Sequence, residues 1–259
     1  MDFEQKRNVL LSKDSYNVYD LTEIVSLLRS ENGCPWDKVQ THETIRKDML
    51  EETYEVLEAI DCASPEMLRE ELGDVLLQVV FHADIEKDAG RFELDDIADE
   101  VCKKLILRHP HVFGDVQADT AETVLKNWDA IKKDEKKQET YTDTLTSVPK
   151  VFPSLMRAQK LTKRAERAGL EFTAEELDEQ LVQTAEDLKN ADSEQACAKL
   201  LMTAAQIVRA HGYDAEELLA KECNAFTEKF SALEKSADEK YGSMSEADKK
   251  EIKQIWLDI

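Results

Sequence analysis

The stretch that decides the fold is MLEETYEVLEAIDCASPEMLREELGDVLLQVVFHAD, residues 49–84. Two acidic clusters, EETYE (Glu51–Glu55) and EELGD (Glu70–Asp74), lie inside apolar sequence with helical spacing. In the first, Glu52 and Glu55 are three residues apart and share a helix face. Glu52 also falls on the stripe Ile45, Met49, Val56, Ile60, whose steps of three and four predict a helix from about Thr41, a candidate N-cap, to Ile60. In the second cluster Glu71 and Asp74 have the same spacing. Ser64 followed by Pro65 marks a helix start, and Leu68, Leu72, Val75, Leu76, Val79 and Val80 carry that helix to about Lys87. Val75–Phe81 alone would suit a buried strand, but the long helical pattern on either side favours helix. The short link Asp61–Ser64 makes the two helices antiparallel neighbours, so all four carboxylates can meet.

Four ionised carboxylates at one buried site repel each other and lose hydration. Such a cluster binds protons, or it holds cations. Alternatively the two pairs are solvated helix faces or partners for Lys and Arg, as most charged pairs are. Oxygen donors without cysteine or histidine suit Mg²⁺, with Mn²⁺ as a substitute, and Mg²⁺ retains open positions for phosphate oxygens. A di-iron bundle would instead need Glu-x-x-His. The residues three before His42, His82, His109, His111 and His211 are Val39, Val79, Ile106, Arg108 and Val208, and none is glutamate.

The whole chain of 259 residues is long enough for one large domain or two small ones. Only 7 glycines and 5 prolines punctuate it, and 35% of residues are charged, which favours a mostly helical protein. The net charge of −22 repels nucleic-acid backbones and anionic membranes. Five cysteines, none in a C-x-x-C pair, argue against a disulfide framework or a thiolate zinc site and fit a reducing cytoplasm. The N-terminus lacks the apolar core of a signal peptide, and the most apolar run is too short to span a bilayer. A soluble, cytoplasmic protein is expected.

Further helices are expected at about 19–30, 94–108 and 120–133, then near 153–168, 174–190, 193–210, 215–235 and 245–256. Residues 134–150 lose apolar periodicity and are expected to link two domains. The two halves repeat one pattern, a helix hairpin leading into a long apolar helix that ends near a glycine, Gly90 or Gly212. The fold class is all-α, a helical bundle in two related helical domains.

The blocks ENGCPWDKVQTHETI (31–45), LEETYEVLEAID (50–61), EELGDVLLQVVFHA (70–83), GRFELDDIADEV (90–101) and RHPHVFGD (108–115) closely resemble the MazG family of nucleoside triphosphate pyrophosphohydrolases. MRAQKLTKRAERAGLEF (156–172) resembles the start of the second half of its two-domain members. The resemblance implies an all-α fold, homodimeric assembly, and Mg²⁺-dependent cleavage of NTPs or dNTPs to nucleoside monophosphate and pyrophosphate. Carried onto E-E-x-x-E and E-x-x-D, it makes Glu52, Glu55, Glu71 and Asp74 the metal ligands. Glu51 would orient or deprotonate the attacking water. Lys38 and Arg108 are candidates to hold phosphate oxygens, Arg46 and Lys47 weaker ones. Trp36 either stacks on the base or anchors the CPWD loop. His109 and His111 are expected to cap and pack rather than to ligate metal. Residues 1–136 would form the catalytic domain, 137–150 the linker and 151–259 a degenerate second copy.

In that second copy EQLVQ (179–183) stands where EETYE would, and QACAK (195–199) where EELGD would. Lys199 takes the aspartate's place and would repel a cation. Activity is therefore expected from the first copy alone. The alternative is a non-catalytic nucleotide-binding, dimerisation or regulatory module with a vestigial acidic pocket.

Overall fold

The structure is a computed structural model that describes residues 1–118, 120–135, 140–190 and 194–259. Among these residues there are thirteen α-helices, two short 3₁₀ turns and no strand. The all-α expectation is met. The chain separates into two compact units, residues 1–132 and 133–259.

The first unit begins with α1 (Phe3–Leu11), a helix that the apolar pattern did not announce. Its sequence FEQKRNVLL buries no residue fully, so it lacks the core stripe by which helices are read. Then come α2 (Val18–Arg29), α3 (Arg46–Asp61), α4 (Pro65–Asp88), α5 (Leu94–Arg108), the single turn α6 (Pro110–Phe113) and α7 (Ala121–Glu135), whose last three residues fall past the division between the units. Helix α4 is the central element, with α2, α3 and α5 packed against it. Val25, Ile45, Val80 and Phe81 form the core, flanked by Leu21, Leu77, Ile85 and Leu94.

Helix α4 starts where expected, with the Ser64 hydroxyl accepting from the Met67 N–H at 3.3 Å and Pro65 in the first turn. Helix α3 starts later than expected. Thr41 closes a separate turn, its carbonyl accepting from the Thr44 and Ile45 N–H groups, and the helix proper begins at Arg46. The buried edge of α3 also runs through Ala59 rather than Ile60, which is 53% exposed. Between α3 and α4 the chain reverses in three residues. Ala63 adopts φ +50°, in the left-handed region. The Ser64 N–H reaches back to the Ala59 carbonyl and the Ala63 N–H to that of Ile60, satisfying the orphan carbonyls of α3.

The second unit holds α8 (Tyr141–Thr146), α9 (Ser154–Glu166), α10 (Ala174–Asn190), α11 (Glu194–Ala210), α12 (Ala215–Tyr241) and α13 (Lys249–Asp258). Helix α11 packs against α9, α10 and α12, as α4 does against α2, α3 and α5. Its core is lean, with Ala158, Ala205 and Ala215 backed by Leu155 and Val208. Within the expected linker, α8 occupies Tyr141–Thr146, capped by Thr140, in sequence whose threonines hide any apolar period. Residues 136–139, where the first boundary was drawn, and Ser193, the expected start of α11, lie outside the described residues. Among the described residues no helix is long and apolar enough to cross a membrane.

Candidate active site

The antiparallel α3–α4 pair places Glu52 and Glu55 opposite Glu71. One carboxylate oxygen from each lies within 4.8 Å of the other two, and among the described residues this is the one such group of three or more acidic, histidine or cysteine ligands. Glu52 and Glu71 are half-buried and Glu55 is exposed. Burial, followed by the charges of Asp74, Glu55 and Glu71, pushes the Glu52 carboxyl above the usual range. Burial, followed by the charges of Glu55 and Glu70, does the same to Glu71. Asp74 stands outside the tight triad, yet its charge reaches both Glu52 and Glu71. Glu51, one position from Glu52, is exposed.

The charges that act most on Glu52 and Glu71 are those of other carboxylates. Such a cluster is destabilised by its own repulsion unless positive charge enters it. The donors are all oxygen, and the oxygens are close enough to share an ion. The residues therefore fit a hard divalent cation.

The CPWD loop is fixed from below by Arg29. Its Nε donates to Asp84 at 2.8 Å, its Nη2 to Asp88 at 2.9 Å, and its Nη1 to the carbonyls of Asp37 and Gln40 at 3.5 and 3.4 Å. Phe81 lies under the guanidinium, 5.3 Å from the ring centroid. Gly33 is required here, because a Cβ would stand 2.2 Å from the Leu27 carbonyl oxygen. On this anchored loop Trp36 is 59% exposed, which leaves its ring available rather than packed in the core. Lys38 is exposed on the following 3₁₀ turn. Arg108, at the end of α5, is buried, with its guanidinium 5.8 Å from the Trp128 ring centroid. His109 Nδ1 meets the Leu105 carbonyl at 2.6 Å, a capping contact as expected.

One network escaped the sequence. His42 Nδ1 and His82 Nδ1 share a hydrogen bond of 2.7 Å, and His42 Nε2 lies 2.5 Å from Glu86. Arg91 clamps the same carboxylate through Nε and Nη2, at 2.5 and 2.6 Å. Hydrogen bonding to Arg91, the larger cause, and then to His42 holds the Glu86 carboxyl down to about 2. The network ties the turn before α3 to the end of α4, and so holds the two acid-bearing helices together. The signal was there in His82 and Glu86, four apart on one helix face, but the partner His42 is forty residues away in sequence.

The MazG nucleotide pyrophosphohydrolase domain matches residues 40–113, which contain all four acids. The nucleoside triphosphate pyrophosphohydrolase of Escherichia coli (strain K12) is 37% identical over 249 residues, spanning 92% of this chain and 95% of that protein. The chain belongs to the MazG family. The nucleoside triphosphate pyrophosphohydrolase/pyrophosphatase MazG of Thermotoga maritima is 36% identical over 220 residues, 83% of this chain and 84% of that protein. The uncharacterized protein YabN of Bacillus subtilis (strain 168) is 50% identical over 140 residues, 54% of this chain but 28% of that protein. MazG membership thus extends along both units.

Proposed function

We propose that the chain is a nucleoside triphosphate pyrophosphohydrolase working from the first unit, with Mg²⁺ (or Mn²⁺ in its place) held by Glu52, Glu55, Glu71 and Asp74. The observation that carries this is the convergence of Glu52, Glu55 and Glu71, where the charges that act most on Glu52 and Glu71 come from other acids. Divalent ions, when bound, offset triphosphate charge and make water more acidic. The carboxylates of α3 and α4 set where that charge sits. Glu51 orients the attacking water and takes its proton as the water oxygen bonds to the α-phosphorus. The α–β bridging P–O bond breaks, releasing pyrophosphate and leaving nucleoside monophosphate. Trp36 offers its exposed ring to the base. Lys38 meets phosphate oxygens, and Arg108 is the second cation for that role, its guanidinium held over Trp128.

The second unit is a degenerate copy without a catalytic metal. Support comes from α10 and α11, where Gln183 and Lys199 stand in place of acids. Homodimerisation rests on the apolar side chains that the first unit leaves exposed, including Leu50, Leu57, Leu72, Leu105 and Leu107. Five free cysteines agree with a reducing cytoplasm.

An assay of NTPs and dNTPs with Mg²⁺, run with and without added inorganic pyrophosphatase, tests the reaction. Free phosphate is expected only when the pyrophosphatase is present. Equal phosphate in both arms means the bond cleaved is a different one. Nucleotide binding without turnover would favour the non-catalytic alternative. Glu52→Ala is expected to abolish turnover while keeping the helical circular-dichroism signal.

A further inference from the structure

The two units repeat one corner of the fold with opposite charge. In the first unit a cavity of about 250 Å³ lies between the start of α2, the end of α4 and the start of α5. It is acidic, lined by Glu23, Asp84, Glu93 and Asp95 against one cation, Lys87. In the second unit a larger cavity of about 420 Å³ lies at the matching place, between α9, the end of α11 and the start of α12. Its charged lining is Lys160, Lys163 and Arg209 against one acid, Asp214. In a chain of net charge −22 this concentration of cations runs against the background.

Two of the three cations are not held in ion pairs among the described residues. Lys160 and Lys163 are exposed and have no carboxylate partner among the described residues. Lys160 instead lies 5.4 Å from the Phe152 ring centroid. Arg209 gives Nη1 to Glu166 at 2.5 Å, while its Nε is buried with no hydrogen-bond partner among the described residues. The floor is rigid. The Gln159 amide is buried, donating to the Ala205 and Tyr213 carbonyls at 3.3 and 3.1 Å and accepting the Ala215 N–H at 3.1 Å. These bonds lock α9 to the start of α12, whose positive dipole end borders the cavity. Asp214 is engaged in capping that helix through the Glu217 N–H at 3.0 Å. Tyr213 is the aromatic side chain of the lining and is 61% exposed.

We propose that this cavity of the second unit binds a small phosphate-bearing anion, with Lys160, Lys163 and Arg209 on the phosphate and Tyr213 beside any attached base. Two point-charge lysines, a guanidinium and a helix start are the groups phosphates select. The inference stands apart from the activity proposed for the first unit, because it uses none of that unit's residues and needs no divalent ion.

The test exploits that independence. The full chain, in buffer stripped of divalent ions over a chelating resin, is titrated calorimetrically with pyrophosphate and separately with ATP. Without divalent ions the acidic cluster repels both probes, so binding reports the cationic cavity. One saturable site is expected, weakening as NaCl is raised. Lys160→Glu with Lys163→Glu is expected to weaken it at least tenfold, and the milder double change to Gln to weaken it less. Both lysines are exposed, and circular dichroism checks that the variants fold. Glu52→Gln is expected to bind like the wild type. Comparable affinity for both probes identifies the phosphate group itself as the ligand. Preference for ATP, reduced by Tyr213→Ala, identifies a nucleoside phosphate. No saturable binding, or binding unchanged by the double charge reversal, overturns the proposal.

Discussion

Glu52 shows how a single side chain is shaped against the stability of its own fold. It sits on the buried side of α3, half-desolvated and surrounded by Glu55, Glu71 and Asp74. Functional sites commonly carry such strain at the expense of stability. Glu52→Gln keeps the shape and removes one repelling charge, so the metal-free variant is expected to melt about 1–3 °C above the metal-free wild type while losing turnover. Differential scanning calorimetry beside the pyrophosphate assay checks both halves. Glu86 is the opposite case, a carboxylate that the fold favours. Its carboxyl, ordinarily at 4.5, is held at about 2 by Arg91 and His42. A carboxyl depressed in the fold stabilises it at pH above the ordinary value, and that stabilisation drains away as pH falls from 4.5 toward 2. Glu86→Gln is therefore expected to be less stable than wild type at neutral pH, and the gap to close across that acid window. Denaturant midpoints at successive pH values measure it. His82 adds to acid sensitivity earlier: burial, then His42, lowers its proton affinity in the fold, so stability begins to fall below its ordinary 6.5.

At the scale of elements, the helices were legible where an apolar stripe met a clear stop signal. Ser64-Pro65 gave the start of α4, and Leu94–Arg108 was bounded as the structure has it. Elements without a stripe were not legible. Helix α1 buries nothing fully and α8 is six residues long, so neither leaves a period to detect. Thr41 misled because a threonine that closes one hydrogen-bonded turn looks the same in sequence as one that caps a helix. The acid pairs were legible as pairs because three-residue spacing on a helix fixes their common face. The His42–Glu86 contact was not, since it depends on how the turn before α3 folds. The α3–α4 turn gives an element-scale prediction. Ala63 pays for its left-handed φ of +50° with the Cβ clash that glycine escapes. Ala63→Gly is expected to stabilise the protein by about 0.5–1 kcal/mol, the strain relieved exceeding the added freedom of the unfolded chain. Chemical denaturation would show a raised midpoint with an unchanged slope.

At the scale of the whole molecule, the first unit leaves several large apolar side chains exposed. Leu50, Leu57, Leu72, Leu105 and Leu107 are each at least half exposed, on three different helices. Exposed apolar side chains of this kind suit the association face proposed for the homodimer. On the proposed homodimer, the wild type is expected to have the native mass of two chains and Leu57→Glu combined with Leu105→Glu that of one, read by light scattering, with the second unit's helical content intact. The sequence anticipated association only through family resemblance, because an exposed leucine and a buried one are written alike. The turn at Ala63 carries one more consequence. Surface bends of this kind ordinarily accept extra residues at little cost. Here an added residue would advance α4 by about 100° about its axis relative to α3, swinging Glu71 away from Glu52 and setting hydrocarbon where the acid had been. Length variation at this bend should therefore be the quickest way to silence the enzyme without touching any residue that does its chemistry.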